Sequence, residues 1–346
     1  MRVLVTGASG FLGQAICAQL IAQGHTVRGF GRNAHPALHA MGVDQRTGDL
    51  SDLSAVMDAS EEADAVIHAA SMLSIWAPIE ALYDTNVRGT DHVLAACELN
   101  GVRRLIYTSS TAVVHAGKDL EGVDETTPYA RRFSSAYAQT KAMAEQRVLE
   151  ANGSEIATVA LRPHFIWGPG DVNLMPRVVA RARAGRLRLV GDGHQRVDTV
   201  YVDNAASAHV LALKKLSIGS PIAGKAYFIS QGEPVTHEHL INAWLLASGL
   251  PPETRHISPR LARALGVVLE TIYRTVGASR EPAITRFIAE QMSTSHWFNI
   301  DAARRELGYV PLVSITEGLH RLSMHLRNER EHVAGAGLGE DTATTA

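Results

Sequence analysis

The tightest constraint on how this chain folds lies within its first twenty residues. A short β-type run, Arg2-Val3-Leu4-Val5, leads directly into Gly7-Ala8-Ser9-Gly10-Phe11-Leu12-Gly13, after which Leu12, Ile16 and Leu20 recur every four residues. That order is strand, glycine turn, then a helix with one apolar face. Glycines in such a turn permit a tight bend and let the backbone approach a pyrophosphate, which the helix N-terminus attracts. A glycine triplet alone marks only a tight turn, but here the flanking strand and helix supply the context for a dinucleotide. Gly7, Gly10, Phe11, Leu12 and Gly13 are therefore the first cofactor-binding candidates.

The same alternation continues. Further strands are expected at Thr26–Gly29, Ala65–His68, Leu105–Ser109 and Thr158–Arg162, with helices over about residues 80–99 and 135–151. Strand–helix alternation implies an α/β fold, a Rossmann-type doubly wound parallel sheet with helices on both faces. After about residue 163 the alternation loosens around Gly168-Pro169-Gly170 and Gly191-Asp192-Gly193. Residues 1–165 then form mainly the cofactor domain. Residues 166–332 form mainly a smaller C-terminal substrate-binding region, with some strands returning to the sheet. The small, polar stretch 333–346 reads as a disordered tail.

Composition sets limits on function. Lys and Arg total 33 against 35 Asp and Glu, so the chain lacks the basic excess of a nucleic-acid-binding protein. A hydrophobic fraction of 46% supports a sizeable core. Cys17 and Cys97 are the only cysteines, too few for a disulfide framework or a cysteine-built zinc site. His35 and His39 are separated by Pro36, which reads as a loop, and His237-Glu238-His239 has the wrong spacing for a zinc-protease helix. No metal is assigned. The N-terminus lacks an export signal and no run of about 18 apolar residues occurs, so a cytoplasmic location is expected.

Two positions carry the chemistry. At the end of the second strand, where an NAD site places an acid for the ribose 2′-hydroxyl, the chain reads Gly31-Arg32. Arg32 in place of an acid favours NADP(H), whose 2′-phosphate it would meet. Farther along, Tyr137-Ala138-Gln139-Thr140-Lys141 sets a phenol and an amine four residues apart on one helix face. Ser134 and Ser135 stand before it as N-cap residues. A cation beside a tyrosine favours its phenolate and turns a poor proton shuttle into a useful one.

With these residues in order, the chain resembles the extended short-chain dehydrogenase/reductases, over nearly its whole length to about residue 325. Gly48-Asp49-Leu50, His68-Ala69-Ala70, Asn86-Val87-Arg88-Gly89-Thr90, Leu161-Arg162-Pro163, Trp167-Gly168-Pro169-Gly170-Asp171 and Val200-Tyr201-Val202-Asp203-Asn204 carry the likeness. The resemblance implies that Tyr137 exchanges a proton with the substrate oxygen, while Lys141 lowers the tyrosine pKa and holds the nicotinamide ribose. It gives Ser110 the task of orienting the substrate oxygen, with Thr111 as the alternate. It also adds Asp49, Leu50, Ala69, Ala70, Pro163 and Ile166, along with Tyr137 and Lys141, to the cofactor-binding set. A homodimer through the helices near 80–99 and 135–151 follows from the resemblance alone.

Within that class, Thr111-Ala112 replaces the Asp-Glu pair that dehydratases need, and Val197 stands where sugar-nucleotide enzymes carry a diphosphate-gripping Arg, with Arg196 next to it. The pattern is similar to the 3β-hydroxysteroid dehydrogenase-like branch. Thr294-Ser295-His296-Trp297-Phe298-Asn299-Ile300, Glu306-Leu307-Gly308-Tyr309-Val310-Pro311, the Ser110–His115 loop and Pro163-His164 resemble its bacterial 2-alkyl-3-oxoalkanoate reductases of long-chain olefin biosynthesis. That implies NADPH-dependent reduction of a long-chain β-keto acid to the β-hydroxy acid. A hydroxysteroid or sterol dehydrogenase and an NAD-linked sugar-nucleotide epimerase are the alternatives. Retention of Tyr137 and Lys141 argues against a mere NADP sensor. Separately, Arg260–Val276 shows helical periodicity with its charges, Arg260, Arg263, Glu270 and Arg274, gathered into an arc of roughly 80°. The broad remainder is apolar and needs a cover: core, bound alkyl chain, partner helix of a multi-enzyme assembly, or peripheral membrane contact.

Overall fold

A computed structural model describes residues 1–278 and 280–337. Seven parallel strands form the central sheet: β1 (Arg2–Thr6), β2 (Thr26–Gly31), β3 (Asp44–Thr47), β4 (Ala65–His68), β5 (Arg104–Thr108), β6 (Ala157–Pro163) and β7 (Lys225–Ile229). Their order across the sheet is β7-β6-β5-β4-β1-β2-β3. The chain reverses direction between β1 and β4, the switch point at which open α/β sheets bind ligands beyond their strand carboxyl ends.

Alternation along each strand builds two cores. Val3 and Val5 of β1 pack with Ile16, Cys17 and Leu20 of α1 (Phe11–Ala22). Leu4 of the same strand joins Val93 and Ala96 of α2 (Gly89–Leu99) and Ala144 and Val148 of α3 (Ala136–Glu150) on the other face. The strands are consequently apolar on both sides, as doubly covered parallel sheets require. A further helix, α4 (Val202–Lys215), lies on the α1 face. The helix Met175–Arg183, α5 (His237–Ala247), α6 (Pro259–Thr275) and α7 (Arg286–Ser293) form the C-terminal part. The final helix is α8 (Ile315–Gly337).

Several expectations need correction. The edge strand β3, Asp-Gln-Arg-Thr, is mostly exposed and so carries no apolar signature. β7 is a strand of the 166–332 region that returns to the sheet, at a position the local sequence pattern does not mark. The helix expected over 80–99 contains a π-helical turn at Asp84–Arg88. Pro36 does not make a loop between His35 and His39. It opens a short helix, Pro36–Ala40, capped by His35, because proline's fixed φ and missing N–H suit a first helical turn. Glu270, within the charged arc of its helix, is buried and paired with Arg286 at 2.9 Å, while the arginines of that arc are exposed. The helix α8 continues through 337, beyond the expected start of the tail at 333; residues 338–346 lie outside the described residues. Among the described residues no helix is long and apolar enough to cross a membrane.

Candidate active site

The glycine loop is shaped for a close approach. Gly7 has φ +69°, and a Cβ there would stand 2.7 Å from the Ala70 Cα and 2.8 Å from its nitrogen. At Gly13 a Cβ would fall 2.1 Å from the Gly7 carbonyl oxygen. Only glycine lets the loop, α1 and the β4 end meet here. The helix begins at Gly10 with no side-chain cap, leaving its first amides for an anion. This cradle fits a dinucleotide pyrophosphate. Ser109, whose buried hydroxyl has no partner among the described residues, also lines the cleft at the β5 end.

The remaining cofactor candidates fall into two groups. Gly7, Gly10, Phe11, Leu12, Gly13, Ala69, Pro163 and Ile166 line one cleft, and Ala70 backs Gly7. Arg32, Asp49 and Leu50 lie outside that wall, beyond the ends of β2 and β3. Arg32 is exposed, and next to it Ser9, Gly31, Asn33 and Arg46 surround a shallow depression. Asp49 is occupied by the amide and hydroxyl of Ser51, at 2.9 and 2.8 Å, which hold its carboxyl below the usual range, with Arg32 contributing.

Ser135 caps α3 through the Ala138 amide, so the helix starts immediately before Tyr137. Two ties hold the helix. Arg162 of β6 forms a buried pair with Glu145 at 2.6 Å, and Tyr129 donates to the same carboxylate at 2.7 Å. Asn86, in the π-helical turn, donates to the Thr140 hydroxyl at 3.1 Å. Neither Glu145 nor Tyr129 was singled out from sequence, and Arg162 appeared only as part of a motif; a lone acid on a helix gives no sign of its buried partner.

Tyr137 is half-buried and reaches the cleft wall beside Ser110. Burial pushes its phenol up to about 12, partly offset by a hydrogen bond with Ser110. Lys141 lies beneath that wall. Its amine donates to the Thr108 carbonyl at 2.5 Å and sits 4.1 Å above the Tyr107 ring. Burial lowers it to about 7, with Glu145 acting against the shift. The tyrosine's shift is upward, where the resemblance implies a lowered value, and the lysine amine is turned to the Thr108 carbonyl. Thr111 is engaged elsewhere, with its Oγ1 2.6 Å from His164 Nδ1.

The cleft measures about 420 Å³. Beyond the Ser110–Tyr137 end its wall is chiefly apolar, with Leu174, Leu240, Ile241, Trp244, Phe287 and Met292. His115, His164 and His237 also line it, and with His296 they form a buried cluster whose ring centroids lie 4.8–5.4 Å from His296. Sequence reading noted these histidines only within motifs, since their convergence joins four segments spread from residue 115 to residue 296. Among the described residues no set of His, Cys, Asp and Glu converges as metal ligands.

A Rossmann sheet with a glycine cradle at its switch point, next to serine, tyrosine and lysine at the β5 and α3 ends, defines a nicotinamide-dinucleotide oxidoreductase of the extended short-chain dehydrogenase/reductase class. Residues 4–258 match the 3-beta hydroxysteroid dehydrogenase/isomerase family, and the chain belongs to it. It is 50% identical over 324 residues, 93% of this chain and 98% of the relative, to 2-alkyl-3-oxoalkanoate reductase of Stenotrophomonas maltophilia. Identity to the Shewanella oneidensis protein of that name is 48% over 333 residues, 94% and 86% of the two chains. Among solved structures, Thermus thermophilus UDP-glucose 4-epimerase in complex with NAD superposes with a TM-score of 0.73 at 26% identity, covering 94% of this chain and 99% of that one.

Proposed function

We propose that the chain reduces the 3-keto group of a long-chain 2-alkyl-3-oxoalkanoic acid to the hydroxyl with NADPH, as a step of long-chain olefin biosynthesis. The observation that carries this reading is the cleft itself: one polar end at Ser110 and Tyr137, continued by an apolar wall suited to alkyl chains. The bound cofactor supplies the hydride. Ser110 hydrogen-bonds the ketone oxygen, and Tyr137, protonated at neutral pH, donates the proton that oxygen needs as charge develops. Lys141 lies under the floor of the site with its amine on the Thr108 carbonyl, and in this reading that amine turns to the nicotinamide ribose when the cofactor binds. The absence of an acid at the β2 end, with Arg32 exposed there, supports NADPH.

The epimerase alternative is weakened by Arg196, whose guanidinium donates to the Pro234 carbonyl and covers the Trp297 ring rather than lining the cleft. A steroid substrate uses the same catalytic end and is separated by rate. NADPH oxidation measured across β-keto acids, steroids and sugar nucleotides should be fastest with the long-chain β-keto acid. It should vanish in Tyr137→Phe while NADPH still binds. Turnover of steroids alone overturns the reading. The exposed apolar side of α6, flanked by arginines, supports a peripheral contact with an anionic membrane surface, from which such a substrate would be drawn.

A further inference from the structure

The buried hydrogen-bond chain behind Thr111 has a defined polarity. His296 Nε2 lies 2.8 Å from the Gln291 carbonyl oxygen, which can only accept, so this nitrogen carries the proton of the neutral ring. His296 Nδ1 must then accept from His164 Nε2, 2.7 Å away. His164 Nδ1 in turn accepts from the Thr111 hydroxyl at 2.6 Å. While both rings are neutral, the only proton of the Thr111 hydroxyl is committed inward, and the cleft meets a pure acceptor. One added proton reverses this. With His164 an imidazolium, its Nδ1–H donates to Thr111, whose own proton is released toward the cleft.

A carboxylate is an acceptor-only group and asks for that reversed state. In a 3-oxo acid the carboxyl carbon and the reacting ketone carbon are joined through a single carbon. The residue that receives the carboxylate must therefore adjoin the one that receives the ketone oxygen. Thr111 directly follows Ser110, and both line the cleft. Burial holds His164 and His296 well below the ordinary imidazole range, which keeps the chain neutral until an anion arrives. The titratable groups facing His164 are His296, His115 and His237, all themselves lowered by burial. His115 is held between Gln291 and Thr294, and His237 points Nε2 at the Thr294 carbonyl.

We propose that Thr111, switched from acceptor to donor by protonation of the His164–His296 chain, binds the substrate carboxylate, so that each acid enters the site together with one proton from solvent. The inference rests on the β-keto acid reading above. The proton stays on the imidazole chain while the acid is bound and returns to solvent when the acid leaves. It is separate from the proton that Tyr137 gives to the ketone oxygen.

Two measurements test it. The first is the KM for a freshly prepared 2-alkyl-3-oxo acid and for its methyl ester between pH 6 and 9. The acid KM should rise by up to about tenfold per pH unit on the alkaline side, while the ester KM shows no such slope. In Thr111→Val the acid KM should rise at low pH and lose its slope. The second is calorimetric titration of the NADP-loaded enzyme with the β-hydroxy acid at pH 8, in buffers of differing ionisation enthalpy. It should read about one proton taken up per acid bound. A flat acid KM, a slope that survives in Thr111→Val, or zero proton uptake overturns the proposal. A flat KM that rises in Arg181→Gln assigns the carboxylate to that half-buried cleft guanidinium instead. If no β-keto acid is turned over at any pH while the ester or a steroid is, the functional reading itself fails.

Discussion

On the proposed NADPH reading, Arg32 is the residue that separates the two nicotinamide cofactors, its charge meeting the 2′-phosphate by which they differ. It is exposed at the β2 end, and Asp49, whose carboxyl it helps to lower, is already held by Ser51. A charge-assisted contact with the 2′-phosphate contributes about 2 kcal/mol, so Arg32→Glu should weaken NADPH binding roughly 30-fold. NADH affinity should change far less. Fluorescence titration of both cofactors checks this, and an unchanged NADPH-to-NADH ratio would remove Arg32 from the assignment. Tyr137 shows how position differs from tuning. The spacing of Tyr137 and Lys141 was readable from the chain, and both lie on α3 where the spacing puts them. The direction in which their pKa values move was not, because it depends on how deeply the fold buries each group and on the Ser110 and Glu145 side chains it brings beside them.

At the scale of elements, α6 presents the sharpest contrast between its faces. Ala262, Gly266 and Glu270 are buried toward α7, and a Cβ on Gly266 would approach the Arg286 nitrogen to 2.8 Å. The glycine is thus a close helix contact rather than a flaw. Leu261, Leu265, Val268 and Ile272 are exposed on the other side, between 39% and 53%, with Arg260, Arg263 and Arg274 along one flank. On the inner side, α7 contributes Phe287, Ile288 and Met292 to the cleft wall. The proposed membrane contact predicts that the protein floats with anionic vesicles and not with zwitterionic ones. It further predicts that Leu265→Glu with Ile272→Glu abolishes flotation without altering cofactor binding. Equal flotation of wild type and double variant counts against it, as does dimerisation through this face seen by sedimentation. The helical period here was legible, but the orientation of the helix was not. The short spacing between charges looks the same whether Glu270 meets solvent or Arg286. The first sheet strands were legible for the converse reason, since both faces of β1, β4 and β6 are buried and their apolar runs are unbroken. The edge strand β3 and the histidine cluster left no local trace.

Across the whole molecule, histidine ionisation becomes a stability term. His68, His115, His164, His209, His237 and His296 are all buried and all held below the ordinary value, His68 to about 3 and His115, His209 and His237 to about 4. The unfolded chain takes up these protons below about pH 6.5, whereas the folded chain resists until far lower. Between those limits the unfolded state binds more protons, so stability falls as the pH falls. A histidine kept fully neutral contributes up to about 1.4 kcal/mol per pH unit. Asp198 acts in the opposite sense. Burial raises it to about 6, so its contribution is lost as the pH rises from its ordinary range through 6. Burial raises Glu125 and Asp203 in the same sense as Asp198, and three carboxyls do not offset six imidazoles. The melting temperature should therefore drop by at least about 10 °C between pH 7.5 and pH 5, as followed by circular dichroism. An equal melting temperature at the two pH values would contradict the buried, neutral state of these rings. The β-hydroxy acid adds a discriminating arm, because in the bound complex the His164–His296 chain already holds a proton. With NADP and the acid at fixed concentrations, the ligand-induced rise in melting temperature should be larger at pH 6 than at pH 8. For a ligand that binds without a proton, such as the ester, the two rises should be equal.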